Sequence, residues 1–152
     1  MKSKISVILV SFLAICMHVM GQTQRMDGVE LSCNVVRSGC DIAINLLARN
    51  TTGGTKTIYM SNETFNSLVT PQVTVVDTNG EMYSCKDFMS GKSLVGSFGK
   101  ELPQGIPVKI RSEVPDVPKD VKTLAVIHLV LKINDAVHTV RFDNVPIAEA
   151  VK

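Results

Sequence analysis

Residues 123–147, TLAVIHLVLKINDAVHTVRFDNVPI, decide the fold class. Two apolar runs flank Asn134-Asp135, and Asn and Asp tolerate the positive φ that a two-residue hairpin turn requires. Pairing across that turn sets Ile133 opposite Ala136, Leu131 opposite His138, Leu129 opposite Val140 and Ile127 opposite Phe142. That face is almost wholly apolar. The other face pairs Lys132 with Val137, Val130 with Thr139, His128 with Arg141 and Val126 with Asp143, and is mixed. One core face and one wetter face predict an outer layer of an antiparallel sandwich.

The remaining chain reads the same way, with strand signals throughout and no sustained 3.6-residue apolar period. Residues 28–37 and 40–49 predict a first hairpin turning at Ser38-Gly39, with Cys33 opposite Ile44 and Val35 opposite Ile42. Its inward set is Val29, Leu31, Cys33 and Val35 against Ile42, Ile44 and Leu46. Residues 57–61 predict a short strand, and 62–71 an irregular stretch with one helical turn. Residues 72–77 and 81–86 predict a second hairpin around Thr78-Asn79-Gly80, because Asn-Gly is the strongest short turn signal. Residues 87–105, rich in Gly, Ser and Lys, read as the longest loop, and 108–114 as a strand closed by Pro115 and Pro118. The expectation is an all-β, antiparallel immunoglobulin-like sandwich of seven to eight strands. The chain has no Trp, which speaks against an antibody-type domain built on a Cys–Trp–Cys core.

The first residues carry an address. Lys2 and Lys4 precede an apolar run over 5–20, and Val19 and Gly21 satisfy the small-residue rule for cleavage before Gln22. Residues 1–21 are thus expected to be a signal peptide and 22–152 a single domain, exported to the periplasm or the exterior. The apolar run is short of the roughly 20 residues that a spanning helix needs. A lipoprotein is the rival reading, with Leu13-Ala14-Ile15-Cys16 as the lipidation box, although Ile15 is bulky for its place. The chain holds sixteen Lys and Arg against fourteen Asp and Glu. Without Lys2 and Lys4 the charges balance, so the electrostatic footprint of nucleic-acid binding is missing.

Little in the chain has the pattern of reaction chemistry. The mature histidines, His128 and His138, fall on opposite faces of the hairpin and cannot share a metal or a base role. His138 reads as a packing residue, and His128 as part of a surface ionic cluster with Arg141 and Asp143. Cys33, Cys40 and Cys85 form no zinc spacing, and an odd count in an oxidising compartment permits at most one internal bridge. Cys33 and Cys40 are too far apart along the hairpin, so a bridge would involve Cys85. Ser90-Gly91-Lys92-Ser93 lacks the first glycine of a phosphate loop, since Lys86 stands there. Gly96-Ser97-Phe98-Gly99 lacks that of a nucleophile elbow. Asp77-Thr78-Asn79-Gly80-Glu81 lacks the distal ligands of a calcium loop. Asn50-Thr51-Thr52 and Asn62-Glu63-Thr64 fit the glycosylation sequon. No catalytic, cofactor-binding or metal-binding residues are assigned.

Four segments occur in an order that resembles a known group: LLARN at 46–50, DTNGE at 77–81, LPQGIPVKI at 102–110 and FDNVPI at 142–147. The chain resembles, over residues 28–147, the telokin-like, immunoglobulin-fold extracellular domains of unknown function in exported bacterial proteins. Their superfamily includes a secreted antigen called immunoprotective. The resemblance implies the fold, and no catalytic residues. The expected function is a non-enzymatic exported domain that binds a protein or glycan partner at the envelope or outside the cell, above all through 87–105. The alternatives are a small hydrolase or metal-dependent enzyme using the mixed face around His128, and a self-associating envelope module joined through a free cysteine.

Overall fold

The structure is a computed structural model and describes residues 22–61, 73–85, 87–90 and 93–150. The expected signal peptide with its Cys16 box, the irregular stretch after Ser61 and the sequon at Asn62 lie outside the described residues. The described chain is all-β, with twelve strands. In chain order they are β1 (Gln22–Met26), β2 (Val29–Ser38), β3 (Asp41–Asn50), β4 (Lys56–Ser61), β5 (Val73–Asp77) and β6 (Met82–Ser84). Then come β7 (Asp87–Ser90), β8 (Ser93–Val95), β9 (Ser97–Leu102), β10 (Val108–Val114), β11 (Thr123–Ile133) and β12 (Ala136–Glu149).

These strands form one hydrogen-bonded sheet in the order β6-β5-β11-β12-β2-β3-β10-β7-β8, with β1 added on β2 and the β4–β9 pair on β11. It is a mixed sheet curled into a half-barrel. The mixed character corrects the antiparallel expectation and has one source. The last residues of β12 leave β11 and run parallel to β2, from Ile147 beside Val35 to Glu149 beside Arg37. One apolar cluster collects buried residues from both arms, including Leu31, Ile44, Phe88 and Ile110 from one and Val75, Ile127, Leu129 and Phe142 from the other.

The β11–β12 hairpin has the register read from its sequence, from Ile133 opposite Ala136 to Thr123 opposite Pro146. Asn134 takes the positive φ, at 52°. Its carbonyl oxygen Oδ1 also accepts from the Thr57 amide at 3.0 Å, which ties the turn to β4. Ala136 is exposed, so the core face ends before the tip. Farther along, inward alternation slips by one residue: Phe142 and Val145 are buried, with Asp143 and Asn144 exposed between them. Asn144 adopts a φ of 52° at that point, and β11 shifts register against β5 between Leu124 and Val126. This local bend keeps Val145 and Ile147 facing the core while β12 crosses from one arm to the other.

Two sequence expectations are corrected, and one strand is added that the sequence reading did not place. In the first hairpin Ser38 pairs with Asp41, Val35 with Ile44 and Cys33 with Leu46. The turn is therefore Gly39-Cys40, with the positive φ of 68° on Gly39, as a glycine in the first central position of a hairpin turn favours. The displacement is an even number of residues, so the inward set survives it. Residues 87–105 contain β7, β8 and β9 where a loop was expected, and buried Phe88 and Phe98 anchor that region. The polar stretch after Gly21 contains β1, which pairs with β2 through an Asp27-Gly28 turn having both φ values positive. Beyond β2, the Gln22 amide donates to the Asp143 carbonyl and accepts from the Asp143 N–H, and Gln24 donates to the Arg141 carbonyl at 3.2 Å.

Two buried polar side chains fix the connections at opposite ends of the β2–β3 hairpin. At one end Asn50 donates through Nδ2 to the carbonyls of Gly54 and Leu102, at 2.8 and 3.0 Å. Its Oδ1 accepts from the Thr52 amide and hydroxyl. At the other end Arg37 donates to the carbonyls of Val117, Pro118 and Val121, at 2.9, 3.1 and 2.7 Å. Buried carbonyls require such donors.

Candidate functional site

The residues of β2 and β3 that point away from the core are polar more often than not, and β10 and β7 extend that face. Register places Ser32, Leu47 and Lys109 in one row, and Asn34, Asn45, Arg111 and Met89 in the next. Together they line a groove of about 670 Å³. The side chains of Cys33, Leu46 and Ile110 are buried in the core below, so these three residues offer the groove their backbone.

That backbone is already engaged. β2 is flanked by β3 on one edge and by β1 and β12 on the other. β3 lies between β2 and β10, and β10 pairs with β3 along its length and with β7 from Arg111 to Glu113. Over β2 and β3 the groove can therefore contact a ligand only through side chains. Asn45 Nδ2 donates to Asn34 Oδ1 at 3.1 Å, which leaves the Asn34 amide nitrogen and the Asn45 carbonyl oxygen facing outward. Arg111 binds Glu113 Oε1 through Nε and Nη2, at 3.4 and 3.2 Å, and keeps Nη1 free among the described residues. Lys109 is exposed and has no ion pair among the described residues. Leu47 and Met89 supply half-buried apolar surface between the polar groups.

Met89, from the segment 87–105 expected to bind, lines the groove, while the histidines and carboxylates singled out from sequence lie elsewhere. On the outer face of the other arm His128 stands between Thr74 and Arg141. Arg141 is engaged with Asp143 at 2.7 Å, and both side chains are more than half exposed. The Arg141–Asp143 pair is one part of the expected ionic cluster, and His128 is placed beside Arg141 by register alone. His138 lies opposite Leu131 on the core side of the same hairpin, half-buried, and its Nε2 is buried without a hydrogen-bond partner. Among the described residues no three His, Cys, Asp or Glu side chains come together as a metal site.

The three described cysteines, Cys33, Cys40 and Cys85, are all free thiols. Burial pushes the Cys33 thiol up to about 12 and that of Cys85 to about 11. Both are therefore protonated and unreactive at neutral pH. Cys40 is exposed at the first hairpin turn. Asp77 and its turn form a closed unit, since Oδ1 accepts from the amides of Asn79 and Glu81 at 2.8 and 3.0 Å. The other oxygen accepts from the Tyr83 hydroxyl at 3.1 Å. Burial raises the Asp77 carboxyl, and these hydrogen bonds outweigh it and hold the group below the ordinary aspartate value of 3.8. The sequon at Asn50 is structural, because its Nδ2 is buried and already donates twice.

No family model matches the chain, and no curated protein matches it.

Proposed function

We propose that the chain is a non-enzymatic exported domain that holds a protein or glycan partner in the groove over β2, β3 and β10, at the envelope or outside the cell. The groove itself carries this reading. It gathers two cations, an amide pair and a hydroxyl on an outer sheet face floored by β2 and β3, strands flanked on both edges, an arrangement suited to contact without reaction. In this reading the curled sheet is an immunoglobulin-like sandwich of the telokin-like kind, with β12 as the strand shared between its layers. Removal of residues 1–21 delivers it to the periplasm or the exterior as a domain of balanced charge.

The test is capture from envelope extracts and growth medium with the exported protein, beside an Asn45→Arg variant whose longer side chain fills the groove. A glycan or protein retained by the natural chain and lost from the variant supports the reading. Equal retention by both, or no retained species at all, overturns it.

A further inference from the structure

This inference rests on the binding reading above and names the chemistry of the ligand. We infer that the groove is a subsite for an acidic saccharide, whose carboxylate is held by Lys109 and Arg111 and whose hydroxyls meet Asn34, Asn45 and Ser32.

Three observations converge. The first is charge: among the described residues Lys109 has no ion pair and Arg111 retains a free Nη1, and Glu113 is already bonded to Arg111. Arg49, two residues beyond Leu47 on the same face of β3, is exposed and likewise has no ion pair among the described residues. A carboxylate on the ligand completes this set, and charge-assisted hydrogen bonds are the strong ones. The second is the amide pair. One free amide nitrogen and one free amide oxygen, with the Ser32 hydroxyl beside them, match groups that both donate and accept, as sugar hydroxyls do. The third is the paired backbone. An extended acidic peptide binds a sheet chiefly by adding a strand to an open edge, and β2 and β3, which floor the groove, are flanked by strands on both edges. A saccharide brings hydroxyls and a carboxylate that side chains alone can read, and its C–H faces suit Leu47 and Met89. The volume lies within the ordinary range of small-ligand sites, roughly 300–1,000 Å³.

The experiment is calorimetric titration of the exported protein, purified from cells making the full chain. Three probes are used: tetragalacturonate, its methyl ester, and tetraglutamate as a peptide of similar charge. Tetragalacturonate should bind, and the methyl ester at least about tenfold more weakly, because the charge-assisted contacts are lost. Lys109→Ala and Arg111→Gln should each weaken tetragalacturonate by about tenfold, Lys109→Arg should restore most of the affinity, and added salt should lower it. Thermal melts of the variants matching the natural chain will show that the fold is intact. Equal binding of acid and ester, tighter binding of tetraglutamate, or no binding of tetragalacturonate at millimolar concentration overturns the saccharide. A partner captured from extracts through the groove in the face of any of these results leaves the binding reading standing.

Discussion

Arg37 and Asn50 sit at opposite ends of one hairpin and perform the same task by different chemistry. Each is at most 5% exposed. Arg37 supplies N–H donors to three carbonyls in the connection after β10, and Asn50 to one in the loop after β3 and one at the end of β9. Asn50 also accepts two bonds through Oδ1, so its end is closed reciprocally by a neutral group. Arg37 only donates, and among the described residues its charge is met solely by Glu149, 3.9 Å from Nε and 64% exposed at the side chain. Nε itself has no hydrogen-bond partner. A neutral amide suits a short loop that needs both donors and acceptors. A guanidinium suits a Pro-rich passage, where Pro115 and Pro118 offer carbonyls and no N–H.

Breaking the Arg37 end should give the larger effect. Arg37→Met keeps much of the side chain's bulk and strands three carbonyls, which should cost about 3 kcal/mol of stability in urea unfolding. A loss below 0.5 kcal/mol would show that water replaces the guanidinium without penalty. Asn50→Ala should cost about 2 kcal/mol by the same measurement. Asn50→Asp sharpens the contrast, because it keeps the acceptors and turns a carboxylate toward the Gly54 and Leu102 carbonyls. It should be no better than alanine, and full stability in Asn50→Asp would mean that only the acceptor role matters.

The smallest effect belongs to Asp77, an acceptor-only counterpart to Arg37. Its folded value lies below the ordinary 3.8, so its contribution is complete above that pH and fades as pH falls through the lower folded value. Asp77→Asn should lower the Tm at neutral pH, and the gap from the natural chain should narrow in acid below the ordinary value. Thermal melts across acid pH check this, and a gap independent of pH would count against the carboxylate's role.

Much of the scaffold was legible in the chain because strand alternation is local information. The β11–β12 register followed from one turn and two apolar runs. The β2–β3 faces followed too, even though the turn was misplaced from Gly39-Cys40 to Ser38-Gly39, because an even slip leaves the faces unchanged. β1 was hidden by its polarity, as all but Met26 of its residues are exposed. Its Asp27-Gly28 turn is nevertheless a strong hairpin signal that pattern reading alone could have used. β7 and β9 were obscured by small and charged residues around single buried phenylalanines. The groove was beyond reach for a different reason. Ser32, Asn34 and Asn45 could be placed on the outer face, but only the pairing of β10 with β3 brings Lys109 and Arg111 beside them. Arg37 and Asn50 likewise look like surface residues until the distant carbonyls they serve are in place.

The crossing of β12 carries a consequence for the order in which the molecule assembles. Val35, near the start of the fold, waits for Ile147, near its end, before that edge of β2 is paired. Contacts of such long sequence separation slow folding, because the chain entropy of closing the loop is lost before the contact stabilises anything. A nascent chain emerging from its N-terminal side has β2 and β3 available early but lacks the strand that joins the two arms. Folding of the two arms into one sheet thus depends on synthesis of β12, the strand that joins them.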